Sequence, residues 1–207
     1  MALTFTVNFF NDGSKPGSVM LFQRYPDGYP NAQSLAWFAK YNYPKTRVSF
    51  HWTSELCFVW SDAGQLVPGI IASASQVIAA DPVDGNEITL TYDRAFNFIN
   101  QGPGRQPGIL SITEDATIPS GMASAGIGMS GQPTFLMPAQ PNTTFQFDTR
   151  TQYWIAFGKY ASGEVLDVTA IGNAAQIIFP GGISAMDATL GPDGDWTIAP
   201  THLAAEV

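Results

Sequence analysis

Apolar and polar positions alternate along most of this chain. Leu3, Phe5, Val7 and Phe9 interleave with Thr4, Thr6 and Asn8, the period of a strand with one buried face. The turn residues Asn11-Asp12-Gly13 and Lys15-Pro16-Gly17 lead into Ser18 to Arg24, so the spacing predicts an N-terminal hairpin. Further strands are predicted over Arg47 to Trp52, Leu56 to Ser61, Gln65 to Ser73, Ser75 to Ala80 and Glu87 to Tyr92. In the second half they are predicted over Phe96 to Asn100, Gly108 to Glu114, Thr134 to Ala139 and Thr144 to Asp148. A second hairpin is expected across Tyr153 to Gly158 and Glu164 to Thr169, followed by Ala175 to Phe179, Ala185 to Leu190 and Trp196 to Ala199. Asp62-Ala63-Gly64 and Gly191-Pro192-Asp193-Gly194 supply turns between them.

Helix has one candidate, residues 31 to 41, where Asn31 is a capping residue and Ala, Gln, Leu and Lys propagate helices well. The same stretch alternates, and its β surroundings favour strand. Many short strands punctuated by 20 Gly and 15 Pro indicate an all-β, antiparallel β-sandwich of the jelly-roll or Ig-like kind with little helix. With 207 residues and no low-complexity linker, one domain spanning residues 1–207 is expected.

Composition narrows the partners. The formal charge is -8 and only 13% of residues are charged. An acidic surface repels phosphate backbones, and no Lys or Arg occurs between Arg47 and Arg94, so nucleic acid is not an expected partner. The single cysteine, Cys57, excludes an intrachain disulfide framework and is expected to be a small buried hydrophobe. No uncharged apolar run approaches a membrane span, so no transmembrane segment is expected. The N-terminus alternates at once and carries no basic residue ahead of its apolar run. The expected location is therefore the cytoplasm, or outside the cell by a route that needs no Sec signal.

Several tracts, in order, resemble the RhiA family of rhizosphere-expressed bacterial proteins. They are Ser34-Leu35-Ala36-Trp37-Phe38, Phe50-His51-Trp52 with Phe58-Val59-Trp60, Gly126 to Phe135, Gln140-Pro141-Asn142, the run Tyr153 to Asp167, and Ala188-Thr189-Leu190 before Asp195-Trp196. The resemblance implies quorum-regulated expression, a part in host interaction and a β protein without assigned enzyme chemistry. It supplies no catalytic residues.

Chemistry is sparse. His51, His202 and Cys57 form no HxH, HExxH or CxxC spacing. Gly128-Met129-Ser130-Gly131 approaches the GxSxG elbow but places its second glycine one residue early, and reads as a glycine-rich loop between strands. Glu114 and Asp115 read as a solvated strand end, and no acid pair can be matched by spacing for glycosidase work. Asp193 and Asp195 stand two apart in a turn, as calcium ligands often do, and are the metal candidates. Tyr25, Tyr29, Tyr41 and Tyr43 sit among loop residues and are the candidates for a ligand surface. No cofactor is expected.

The reading is of a non-enzymatic protein that acts by association, either self-assembly into homo-oligomers or fibres or attachment to a host or cell-surface ligand. Low charge density and pairable edge strands support it. The alternatives are a lectin-like carbohydrate-binding module, calcium-assisted or not, and a membrane-active toxin.

Overall fold

The computed structural model describes residues 2–25, 32–150 and 152–201. Among them there is no helix, and the strands lie in four sheets. β1 (Thr4–Asn11), β5 (Arg47–Thr53), β16 (Ala185–Leu190) and β17 (Trp196–Pro200) form a sheet in the order β17-β16-β1-β5. Facing it are β2 (Gly17–Arg24), β4 (Ala36–Asn42), β14 (Gln152–Gly158) and β15 (Ala174–Ile177), ordered β15-β14-β2-β4. Val7, Phe9, Phe50 and Trp52 from the first sheet meet Val19, Leu21, Trp37 and Ile155 from the second in one buried cluster. Each large side chain buried this way contributes about 1.5–3 kcal/mol.

A second pair of sheets is inserted between β5 and β14, save for one two-residue strand that precedes β4. One sheet is ordered β3-β12-β11-β6-β7, from β3 (Gln33–Ser34), β6 (Leu56–Ser61), β7 (Gln76–Ala80), β11 (Ser124–Met129) and β12 (Gln132–Pro138). The other is ordered β13-β10-β8-β9, from β8 (Glu87–Tyr92), β9 (Phe96–Gly102), β10 (Ile109–Glu114) and β13 (Thr143–Asp148). Phe58, Ile127 and Phe135 pack against Ile88, Leu110, Ile112 and Phe147 between them. All strand pairs are antiparallel except β1 with β16 and β8 with β10. The all-β sandwich expected from the alternation is what the chain forms, built as two facing pairs of sheets.

The segment expected to be either helix or strand is strand, and it joins the pairs. Ser34 pairs with Phe135 of β12, while Ala36 to Asn42 pair with β2. Leu35 donates its N–H to the Thr134 carbonyl and itself bridges to Val165. At the opposite edge of the inserted pair, Gln76 closes the gap between β7 and β9. Its side-chain oxygen accepts from Trp60 Nε1 at 2.8 Å and from the Phe98 N–H at 3.0 Å, and its amide donates to Asn97.

Four local expectations are corrected. β1 and β2 form no hairpin: the turn between them carries the chain from one sheet to the facing one. The reason is that β2 is apolar on both faces, with Val19 and Leu21 inward and Met20 and Phe22 outward. It therefore takes an interior position between β14 and β4. The partner of β14 is β15 rather than Glu164 to Thr169, because residues 159–173 fold as a loop over the outer face of the sheet, burying Leu166 against Met20 and Phe22. Residues 65–73 form no strand beyond a bridge from Ile71 to Glu164; they cover Val59 and Leu136 with Leu66 and Ala72.

The glycine-rich stretch is itself a buried strand, β11. A Cβ on Gly126 would lie 2.0 Å from the Phe135 carbonyl oxygen, and one on Gly128 would lie 2.2 Å from that of Gln132. Only residues without a Cβ let β12 approach this closely. The positive φ expected there falls at Ser130 (53°) and Gly131 (76°), which make the two-residue hairpin turn between β11 and β12.

Candidate functional site

The turns of the outer pair of sheets gather at one end. Asn11 organises them: its N–H donates to the Thr46 carbonyl at 3.1 Å, its carbonyl accepts from Lys45 N–H at 2.7 Å, and its buried side chain bonds Gly13 and Lys15 of its own turn. The Asp12 N–H donates to the Leu190 carbonyl at 2.9 Å, which brings the turn carrying Asp193 and Asp195 alongside. Tyr41, near the end of β4, and Tyr43, in the turn that carries the chain from β4 to β5 of the facing sheet, are 59% and 63% exposed, edge to face with ring centroids 5.3 Å apart. Two of the four candidate tyrosines and both candidate metal-binding aspartates thus share one end of the molecule.

Asp193 and Asp195 are exposed on a turn closed by its own backbone, with Gly191 N–H donating to the Asp195 carbonyl at 2.8 Å. Asn173 clamps it, donating to the Gly194 carbonyl and accepting from Trp196 Nε1. Among the described residues, no group of three or more His, Cys, Asp or Glu is arranged to hold a metal ion.

The same end collects cations. Lys15 is exposed in the β1–β2 turn, Lys45 pairs with Asp12, and Lys159 directly follows β14. Lys40 donates to the Ser49 carbonyl and lies 5.2 Å from the Phe50 ring, while the Arg47 guanidinium lies 4.7 Å from the Phe10 ring. All four lysines of the chain are therefore here. The inserted sheets, residues 56–148, leave from the opposite end, through Arg24, Thr53 and Gln152. That stretch carries two basic residues against eight acidic ones.

Tyr25 lies at that opposite end, away from Tyr41 and Tyr43. Its ring packs 4.4 Å from Phe135, centroid to centroid, in the wall of a cleft of about 690 Å³. Tyr29 falls outside the described residues. Arg24 lines the same cleft, its guanidinium carbon 4.6 Å from the Trp154 ring and 5.2 Å from that of Phe22. Its Nη2 donates to the Val168 carbonyl at 2.6 Å, and partial burial draws its pKa below the ordinary value. Asp167 is on the rim, its Oδ1 accepting from the N–H and hydroxyl of Thr169, which holds the carboxyl below the usual range. The alternation Phe22-Gln23-Arg24 puts Arg24 on the face of Phe22. Nothing in the sequence joins that face to Trp154, which is why Arg24 is not singled out there.

Glu114 is a correction of a different kind. It is fully buried, its Oε2 accepting from the Gln140 N–H at 2.6 Å and its Oε1 without a partner. Desolvation pushes its pKa up to about 7. The alternation Leu110, Ile112, Glu114 points it inward, whereas Asp115 turns out to meet Thr117. Cys57 is buried as expected, and its thiol is pushed up to about 11. Ser130 Oγ accepts from the Thr53 N–H at 3.2 Å, and His51 Nδ1 contacts the Thr6 hydroxyl at 3.0 Å on an exposed face.

The RhiA family model matches residues 2–201. The chain is 31% identical over 193 residues to Protein RhiA of Rhizobium leguminosarum bv. viciae, covering 92% of this chain and 84% of that one. No solved structure matches. No helix among the described residues is long and apolar enough to cross a membrane.

Proposed function

The chain belongs to the RhiA family, and from that premise we propose that it is a non-enzymatic protein that works by association, copies joining head to tail. The reading rests on one observation: the turn end bears every lysine beside two exposed tyrosines, while the inserted sheets opposite carry two basic residues against eight acidic ones. Opposite charges at opposite ends attract between copies and not within one. An interface that matches one patch to a different patch closes into a ring or propagates as a filament. The aromatic pair supplies apolar contact once the charges have brought two copies together.

Sedimentation velocity over a concentration series tests this. At roughly 20 mM salt, where screening is weak, the particle grows with concentration; at about 0.5 M it dissociates towards the monomer. A particle that stays monomeric at every concentration and salt level refutes self-association.

A second reading, a carbohydrate-binding module, is favoured by the exposure of Tyr41 and Tyr43, since adjacent tyrosine rings offer faces to a sugar. A glycan array with and without chelator separates the two readings. Binding lost with chelator brings in Asp193 and Asp195, and a blank array removes the module.

A further inference from the structure

The geometry points to a second, independent activity: the cleft lined by Arg24, Tyr25, Gln33, Phe135, Asp167 and Thr169 is a binding site for a hydroxylated monocarboxylic acid of the sugar-acid type. Its volume, about 690 Å³, falls within the roughly 300–1,000 Å³ usual for small-ligand pockets.

Arg24 provides the first recognition element. Its guanidinium is fixed by the Trp154 and Phe22 rings and by the Val168 carbonyl. Among the described residues Nε is buried without an acceptor, and the ion pairs found there, Lys45–Asp12 and Arg150–Asp148, leave Arg24 without a carboxylate. A partly desolvated cation with no ion-pair partner among the described residues, lining an open cleft, is matched by an anion. Carboxylate is the group whose two oxygens fit the guanidinium fork.

The second element decides which anion. Asp167 shares the cleft, and Thr169 fixes its orientation through Oδ1. An ionised carboxylate only accepts hydrogen bonds, so it suits ligand hydroxyls and repels a multiply charged phosphate. The Tyr25 ring, packed on Phe135 with centroids 4.4 Å apart, adds an apolar wall for the C–H face of a sugar ring. One cation, one acceptor and one aromatic wall together select a molecule with a single carboxylate and several hydroxyls.

Calorimetric titration of the folded protein with glucuronate and galacturonate tests the site, with glucose and inorganic phosphate as comparison probes. At least one uronate binds, and glucose binds roughly tenfold or more weakly for want of the charge-assisted pair. Arg24→Gln loses roughly tenfold or more in affinity for the uronate, and Asp167→Asn loses at least about threefold for the uronate while phosphate, no longer repelled, binds at least as well as before. Circular dichroism establishes that each variant is folded, and if Arg24→Gln is not, Asp167→Asn decides. Absence of uronate binding to the wild-type protein overturns the proposal. So does phosphate binding as tight as uronate, or uronate affinity unchanged in the folded variants.

Discussion

The indole N–H of Trp37 donates to the backbone carbonyl of Met129 at 3.1 Å, a hydrogen bond between the two pairs of sheets. Trp37 belongs to β4 of the outer pair, and Met129 ends β11 of the inserted one. The Met129 sulfur continues the junction, lying 3.4 Å from the Tyr153 hydroxyl and 3.6 Å from Gln23 Nε2. Around it, Trp37 packs against Trp52 and Phe38 with centroids 5.3 and 4.4 Å away. The inserted sheets are thus anchored in the aromatic core of the outer ones.

Trp37→Phe keeps a ring but removes the donor, leaving a buried acceptor short of a partner. The expected destabilisation is about 1–3 kcal/mol. Trp37→Ala also opens a cavity and is expected to cost about 3–5 kcal/mol. Urea unfolding followed by circular dichroism measures both. Equal stability of Trp37→Phe and wild type means that the bond across the junction contributes nothing.

Gly126 and Gly128 test the close approach of β11 and β12. Alanine at either places a methyl group against a backbone carbonyl that is itself held in the ladder. Each substitution is expected to destabilise by at least about 2 kcal/mol, at the upper side of overpacking effects. Gly172→Ala, where a Cβ meets nothing within 4 Å, is the control and is expected to stay near neutral. Thermal melts of the three variants read the contrast directly.

The same glycines mark where sequence reading stops. Alternation located the strands that have one apolar face, so β5, β8, β10 and β16 fall within a residue or two of where Phe50, Ile88, Ile112 and Ala188 put them. It does not encode which sheet a strand joins. β1 and β2 look like a hairpin because Asn11 to Gly17 is rich in turn residues, yet a turn that crosses between sheets has the same composition. β11 shows no alternation, since a strand covered on both faces and squeezed by a neighbouring backbone is written in glycine and alanine. Of the candidate site, Tyr43, Asp193 and Asp195 were legible as exposed loop positions, whereas Tyr41, also read as a loop residue, is exposed on strand β4. Arg24 was not, because its setting is built by Trp154 and Val168 from far along the chain.

Charge reversal at the turn end tests the association reading. Lys15 and Lys159 are exposed and bear no ion pair among the described residues. The double substitution Lys15→Glu/Lys159→Glu is expected to leave the fold intact, since surface changes usually fall within about 0.5 kcal/mol. Low-salt self-association should weaken by roughly tenfold or more, as like charges then face the acidic inserted sheets. Tyr41→Ala/Tyr43→Ala is expected to weaken it at high as well as low salt, because the contact it removes is apolar. Sedimentation velocity on the two double variants separates the electrostatic and apolar parts.

Glu114 makes stability depend on pH in a defined direction. Its carboxyl titrates near 4.5 when the chain is unfolded and near 7 when folded. The folded protein therefore binds the proton more tightly across this interval. The stability this confers is fully present below about pH 4.5 and is lost as pH rises through about 7, where the ionised carboxylate must sit in the core with Oε1 unpartnered. At 1.36 kcal/mol for each unit, the loss is on the order of 3 kcal/mol between pH 4.5 and 8. Glu114→Gln keeps an acceptor for the Gln140 N–H and cannot ionise, so its stability should follow a flatter profile and exceed that of wild type at pH 8. Urea midpoints at intervals from pH 4.5 to 8 compare the two slopes. Identical slopes would remove Glu114 as the source of the pH dependence; Asp115, Asp148 and Asp167 do not compete for that role, since their lowered pKa values act in the opposite direction and at lower pH.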